Sequence, residues 1–263
     1  MTTKNHYHQL RIFIFAFTLF AQNVFAEHAL PEFTARYGIF KFGIKLAEAT
    51  YQLSYTDKGY KFTQNTELYG IASMFASDSV SAVSYVDEAG KNLLLRKYTY
   101  IQTGREKNRN EDIDIKWKTD KNTLQGKITG VVRSKPIDLQ TDRELWDILS
   151  FQIPLMIEAD ENIKEYPYHA ILKGEIDDYT FVLKSSKTVS FAGNDYKAIQ
   201  LVRTDPEKDR QLHIWLLPAL NNLPVIIENY RDGKEHSRGE LESVSFNHQA
   251  PLTEKDLNAD NDF

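Results

Sequence analysis

Apolar and polar side chains alternate along most of the chain. In residues 111–118 (EDIDIKWK), Ile113, Ile115 and Trp117 alternate with charged residues. A period of two places all three apolar side chains on one face of an extended strand, so the segment predicts a half-buried antiparallel strand. The same alternation predicts strands at 33–43, 49–55, 60–68, 79–86, 93–101, 123–132, 179–184, 196–203 and 240–246.

Short turn signals separate the predicted strands. They include Asp57-Lys58-Gly59, Gly193-Asn194-Asp195 and Asp232-Gly233, whose residues tolerate tight reversals of the backbone. Roughly a dozen strands joined by short turns are typical of a meander, a sandwich or a barrel. We therefore predict a mainly β fold, a curved antiparallel sheet or barrel-like meander, that forms a single domain over residues 27–248.

The period becomes helical at about 141–153 (TDRELWDILSFQI). Thr141 and Glu144 match a capping box, Leu149 lies on the apolar side, and Pro154 is expected to end the helix. We expect this one covering helix to lie over an opening or an edge of the sheet. Residues 70–76 (GIASMFA) are a second, shorter candidate.

Residues 212–227 predict a hairpin with a proline on each side of its connection, Pro218 and Pro224. In the first strand, His213 and Trp215 lie on the face opposite Ile214. The alternation alone does not show which of the two faces is buried in the core.

Aromatic residues make up 12% of the chain, which has two interpretations. They fill the core, or they line an open apolar cavity as in ligand-carrying barrels. If the sheet encloses a hollow, the candidate ligand-binding residues are Trp215, His213 and Trp117. The alternative for Trp215 is that it packs under the Pro218–Pro224 loop and fixes the hairpin.

The sequence lacks the common catalytic, zinc-binding and nucleotide-binding motifs, and it contains no cysteine. Its histidines are scattered, and acidic pairs such as Asp177-Asp178 have the position of turns. We therefore predict no catalytic residue, no metal site and no cofactor.

Residues 1–26 match a secretory signal peptide. Lys4 and Arg11 precede an apolar run at 12–21 (IFIFAFTLFA), and Val24 and Ala26 stand at the two positions that signal peptidase reads. The run is shorter than the roughly 20 residues that span a bilayer. We expect cleavage after Ala26 and a periplasmic product without an integral membrane span.

The formal charge of −5 becomes −7 when Lys4 and Arg11 are removed. An acidic chain of this kind argues against nucleic acid as a partner. Residues 249–263 (QAPLTEKDLNADNDF) are acidic and poor in apolar side chains, which predicts a flexible tail.

Three stretches together resemble a family. They are Trp215-x-x-Pro218 with Leu223-Pro224-Val225, residues 43–51 (GIKLAEATY), and Asp147-Ile148-Leu149-Ser150-Phe151. They are similar to the signature of a bacterial exported family, the domain of unknown function DUF3108, although Ala47 stands where glycine is common. The similarity spans about residues 33–246 and implies no catalytic residue. A more distant, purely architectural likeness is to periplasmic lipoprotein carriers, which enclose an apolar hollow.

Three functions are consistent with these features. The leading hypothesis is a non-enzymatic periplasmic protein that binds a lipid, another apolar small molecule or an envelope protein in the hollow of the sheet. The second is a carboxylate-dependent hydrolase of envelope glycans, which needs two carboxyl groups facing each other across a cleft. The third is a structural factor in envelope assembly.

If the chain is exported and cleaved after Ala26, the mature protein begins at Glu27. N-terminal sequencing of the protein isolated from the periplasm should begin EHALPEF. A membrane-bound product that retains residues 1–26 would contradict this expectation.

Overall fold

The fold is a large, curved antiparallel sheet, which confirms the predicted fold class. The computed structural model describes residues 28–70, 73, 78–104, 108–120, 123–205, 208–247 and 252–253. The predicted signal peptide lies outside the described residues. So does the predicted tail, apart from Leu252–Thr253, which pair with a neighbouring strand.

The strands follow the alternation seen in the sequence. Their bounds are β1 Phe33–Lys41, β2 Ile44–Thr56, β3 Gly59–Leu68, β4 Ser79–Ala89, β5 Asn92–Gln102, β6 Glu111–Asp120, β7 Thr123–Val132, β8 Lys135–Thr141, β9 Glu165–Leu172, β10 Glu175–Phe191, β11 Asn194–Asp205, β12 Arg210–Leu217, β13 Leu223–Arg231, β14 Lys234–Phe246 and β15 Leu252–Thr253. A short 3₁₀ helix, Pro218–Leu220, follows β12. All of the predicted strand segments are found.

Strand order combines two meanders. From β8 the sheet runs back through the chain to β1, then passes to β14 and runs back again to β9. β1 and β14 pair antiparallel at the junction, while β15 pairs with β14 beside this path. The first and last long strands of the chain are therefore neighbours at the centre of the sheet.

Curvature brings the two edges of the sheet together. Gly174, in the turn between β9 and β10, is so close to the other edge that a Cβ there would lie 3.2 Å from Ile137 Cγ2 and 3.5 Å from Val132 Cβ. No ladder closes β8 onto β9 in the described part of the chain. The sheet is thus barrel-like but open.

Residues 142–151, here called the crossover segment, cover the free edge of β9. The N–H of Trp146 donates to the His169 carbonyl at 2.9 Å, and the N–H of Ile171 donates to the Trp146 carbonyl at 2.8 Å. These two bonds form a parallel bridge between Trp146 and Ala170. An edge that would otherwise expose backbone groups is partly satisfied in this way.

The helix prediction was wrong in position. Thr141 ends β8, and the α-helix, α1, is Gln152–Glu158. Thr141 Oγ1 accepts a bond from the Arg143 N–H at 3.2 Å, a local turn rather than a capping box. Pro154 lies in the first turn of α1, where its missing N–H costs nothing, so it does not end the helix.

Tertiary contacts explain why the helical period at 141–151 does not produce a helix. The backbone of Trp146 is taken by β9, and the N–H groups of Leu149 and Ser150 are taken by the Asp147 carboxylate. Both sets compete with the bonds that a helix would need. The other predicted helix, 70–76, lies outside the described residues apart from Gly70 and Ser73.

Buried side chains from the strands and from α1 form one contiguous apolar core. Its largest fully buried side chains are aromatic ones on different strands, among them Tyr60, Tyr98 and Phe181. Among the helices described, none has the length and apolar character needed to cross a membrane.

The corrected helix position changes the expected mutational effects. Leu149, 1% exposed, should lose roughly 2–5 kcal/mol of unfolding free energy on Leu149→Ala, because a cavity forms in the core. Thr141→Ala should lose less than about 1 kcal/mol, because only a local exposed bond is removed. Denaturant unfolding of the two variants measures this, and an equal or larger loss at Thr141 would reverse the assignment.

Candidate functional site

The predicted hairpin at 212–227 is present and holds two candidate residues. Trp215 pairs across strands with Gln200 on β11 and Ile226 on β13, while Leu216 pairs with Ile199 and Pro224. His213 and Trp215 share the face opposite Ile214, as the alternation predicts. Both faces are buried at this end of β12.

Trp215 is buried beneath a lysine. The residue is 4% exposed, and the Nζ atom of the exposed Lys187 lies 3.9 Å from the centre of its ring. The cation and the aliphatic stem cover an indole that would otherwise face solvent. The indole N–H is buried and has no hydrogen-bond acceptor among the described residues. Trp215 is therefore a packed core residue whose indole N–H lacks a hydrogen bond.

His213 is surrounded by amide and carboxylate groups. Its Nε2 lies 2.9 Å from Gln211 Oε1, so that nitrogen donates. Its Nδ1 faces Gln200 Nε2 at 3.4 Å and Glu228 Oε2 at 3.6 Å. Arg238 Nη1, at 3.2 Å from Glu228 Oε1, balances the charge of this nearly buried carboxylate. None of these neighbours is a serine, threonine or cysteine, so the cluster lacks the hydroxyl or thiol nucleophile of a hydrolytic triad.

Burial controls the charge of His213. Desolvation lowers the pKa of the imidazole below its ordinary value of 6.5, against the opposing effect of Glu228. The ring is therefore mainly neutral near pH 7. Its neutral form completes the hydrogen bonds with Gln211 and Gln200.

Trp117, the third candidate residue, lies elsewhere. Its indole N–H donates to the Leu95 carbonyl on β5 at 2.7 Å. The backbone pairing of β5 with β6 covers only Lys97–Tyr100 and 111–114, so this side-chain bond continues the contact between the strands. A Cβ on Gly126 would lie 2.7 Å from the Trp117 ring, which shows how closely the ring covers β7. Strands β5 to β1, β14 and β13 separate Trp117 from β12 along the sheet.

A buried carboxylate lies at the centre of the molecule. Asp147, Ser150 and Ser84 are each 0% exposed. Asp147 Oδ2 accepts hydrogen bonds from Ser84 Oγ and Ser150 Oγ, both at 2.7 Å. Its Oδ1 accepts from the N–H groups of Leu149 at 2.7 Å and Ser150 at 2.9 Å. The carboxylate thus ties the crossover segment to β4.

Burial raises the pKa of Asp147 above its ordinary value of 3.8, and the four donated hydrogen bonds act in the opposite direction. A raised pKa is sometimes the mark of a catalytic acid. Here the group has no exposed surface through which a substrate could reach it. The geometry therefore assigns Asp147 a structural role.

Two further carboxyl groups approach each other near α1. Desolvation raises the pKa of Glu144, the charge of Glu158 raises it further, and the Leu93 backbone bond opposes both. Desolvation also raises the pKa of Glu158, against the bond from Tyr168 Oη at 3.0 Å from Glu158 Oε2. A glycosidase needs its two carboxyl groups facing each other across a cleft, and Glu158 is instead hydrogen-bonded to Tyr168.

The described residues form a small hollow near α1, with about 150 Å³ of free space that includes open solvent. Pockets for drug-sized ligands typically enclose about 300–1,000 Å³. The lining of this hollow is apolar and consists mainly of Leu30, Phe33, Met156, Leu220, Leu223 and Phe246.

The described residues contain no group of three or more His, Asp or Glu side chains able to hold a metal ion.

The turn between β1 and β2 exposes an aromatic residue in an unusual conformation. Phe42 and Gly43 have φ values of 53° and 74°, and Lys41 pairs directly with Ile44, which defines a two-residue turn with two left-handed positions. Asn or Gly is the usual first residue of such a turn, and a left-handed conformation costs other L-residues roughly 1–2 kcal/mol. Phe42 is nevertheless 82% exposed, so packing does not offset this cost.

A family model, "Protein of unknown function (DUF3108)", matches residues 32–234. The chain belongs to the DUF3108 family. This confirms the family resemblance seen in the sequence.

Similarity to solved structures extends the fold assignment. This DUF3108 protein is similar to the β-barrel-like protein of the domain of unknown function DUF1849 from Brucella abortus, with a TM-score of 0.54 and 11% identity over 82% of this chain and 98% of the other. At that identity the likeness concerns the fold alone. A comparison with curated proteins gives no match.

The family-like stretches of this DUF3108 protein have structural roles. Residues 43–51 form the start of β2, Asp147 and Ser150 form the buried network, and Trp215 to Val225 form the hairpin. The sequence analysis placed Asp147 and Ser150 inside a helix, whereas they form a turn. Their Asp-x-x-Ser spacing could have indicated this, because an Asp side chain at that spacing often accepts hydrogen bonds within its own turn.

Removal of the Asp147 carboxylate should destabilise the fold. Asp147→Ala leaves two hydroxyl and two N–H groups without their acceptor, each costing roughly 1–3 kcal/mol, so a total loss of at least about 3 kcal/mol is expected. Asp142→Ala is the matched control, since its side chain is 82% exposed and lies in the same segment. Denaturant unfolding compares the two, and similar small losses would contradict the structural role.

Proposed function

We propose that this protein is exported to the periplasm and acts there as a non-enzymatic binding protein whose recognition surface is the outside of the curved sheet. The large aromatic side chains buried in the described core carry the proposal. Side chains such as Tyr98 and Phe181 occupy the space that a carried lipid would need, and both are essentially unexposed. A partner on the outer surface does not require that space.

Two of the candidate ligand contacts support this choice. Trp215 packs under Lys187, and Trp117 bonds to Leu95 and lies over Gly126. Each ring therefore already has a packing partner. Side chains that line an empty ligand site would instead leave a free apolar surface.

Export rests on the sequence features of residues 1–26. An acidic domain without cysteine is compatible with the periplasm, where this chain would fold without disulfide bonds. The same core is large and contiguous in the described residues.

Chemical analysis of the purified protein tests the binding mode. Protein isolated from the periplasm should contain no lipid or other apolar molecule in stoichiometric amount when its organic extract is examined by mass spectrometry. Trp215→Phe should lower the unfolding midpoint, because packing beneath Lys187 is lost, and leave the extract unchanged.

The carrier hypothesis predicts the opposite pair of results. About one apolar molecule per chain, lost in Trp215→Phe while the unfolding midpoint stays constant, would overturn the proposal. Gln125→Ala, at an exposed position on β7, serves as the control for handling losses.

A further inference from the structure

The hairpin tip, defined as residues 41–44, is the most exposed large apolar feature of the described chain. Phe42 is 82% and Ile44 63% exposed. Phe42 also adopts a left-handed conformation without a packing contact that would offset its strain. The same left-handed φ occurs before glycine in other two-residue turns of this sheet, so Phe42 is distinguished by its exposed aromatic ring rather than by its backbone.

Beside the tip lies a cation row formed by Arg210, Arg231 and Lys234. Arg210 pairs in register with Arg231, and Arg231 pairs in register with Lys234. Like charges placed opposite each other destabilise a sheet. All three side chains are exposed, so the row presents its charge to solvent.

Within the described residues, the members of the cation row form no ion pair with a carboxylate. Lys45 and Arg238 are paired with carboxylates, whereas Lys41 and the three members of the cation row are not. Acidic residues also occur at this end, namely Asp209 and Asp232 in the adjoining turns and the exposed Glu235 on β14.

The tip and the row share one end of the sheet. Strands β12, β13, β14 and β1 are consecutive neighbours, and Phe40, next to the tip, pairs with Arg238. Lys41 Nζ lies 5.4 Å from the centre of the Phe42 ring. Desolvation and the charges of Arg231, Lys41 and Arg210 all lower the pKa of His236 on β14. The cations therefore act together at this end.

We propose that the hairpin tip and the cation row dock this protein onto a bilayer surface that contains anionic phospholipids. Phe42 and Ile44 enter the boundary between headgroups and acyl chains, and the cation row contacts the headgroup phosphates. Without residues 1–26 the formal charge of −5 becomes −7, because Lys4 and Arg11 are lost, so the acidic remainder of the surface is repelled and the docking orientation is fixed. The inference rests on the proposed function and names the partner of the outer surface.

Vesicle flotation tests the docking directly. The probe is a set of vesicles of phosphatidylethanolamine with about one third phosphatidylglycerol, compared with vesicles of phosphatidylcholine alone. The protein is used after processing, with a mass that confirms the loss of residues 1–26, since the apolar leader would bind any bilayer. Binding to the anionic vesicles, weakened by salt, and little binding to the zwitterionic ones are expected.

Phe42→Asn separates docking from folding. Asn suits a left-handed turn position better than Phe, so the unfolding midpoint should stay constant or rise while vesicle affinity falls about tenfold. Arg231→Ser should weaken binding about fivefold, the effect of one lost cation. Ile163→Asn is the matched control, because Ile163 is 42% exposed and precedes β9, an edge strand separated from β1 by β14, β13, β12, β11 and β10, and it should bind normally.

Several results would overturn the docking proposal. They are an absence of vesicle binding, equal binding to both lipid compositions, or unchanged binding by Phe42→Asn. An absence of binding would leave a protein as the occupant of the tip and would not affect the proposal that recognition uses the outer surface. A stoichiometric lipid in the interior would instead remove the proposed function itself.

Discussion

The buried carboxylate of Asp147 is the interaction on which the rest of the fold depends. It holds the crossover segment against β4 through Ser84, and it fixes the turn that precedes α1. The position of Trp146 on the edge of β9 follows from it. A buried charge is costly unless its hydrogen bonds are satisfied, and four donors satisfy this one. The crossover segment therefore covers the open side of the sheet and is held there by a hydrogen-bonded carboxylate that is buried in the apolar core.

Local periodicity predicted the sheet but not the segment that completes it. Strands such as β6 and β12 were predictable because their alternation reports one buried face directly. Thr141 to Phe151 have equally good helical spacing, yet their backbone groups are taken by β9 and Asp147, which are distant in sequence or dependent on the tertiary fold. Competition of that kind has no local signal.

The candidate site was predicted in part for the same reason. The sequence placed His213 and Trp215 on one face correctly, but it did not reveal that both faces of β12 are buried there or that Lys187 covers the indole. Trp117 was a candidate ligand contact because an aromatic side chain on an alternating strand suits the lining of a hollow. Its indole instead donates to Leu95 and joins strands whose backbone pairing stops short. Phe42 passed unnoticed, although an aromatic residue before glycine in a two-residue turn is an unusual choice.

The pairing of β1 with β14 has a consequence for how the chain acquires its structure. One edge of β1 stays unpaired until almost the whole polypeptide is available, because its partner ends at Phe246. Contacts between such remote segments form slowly, since a long loop must close first. During synthesis, the N-terminal meander therefore keeps an open strand edge until the C-terminal strands are available. Such an edge is a site for aggregation, and holding it apart from other chains would be the natural task of a chaperone.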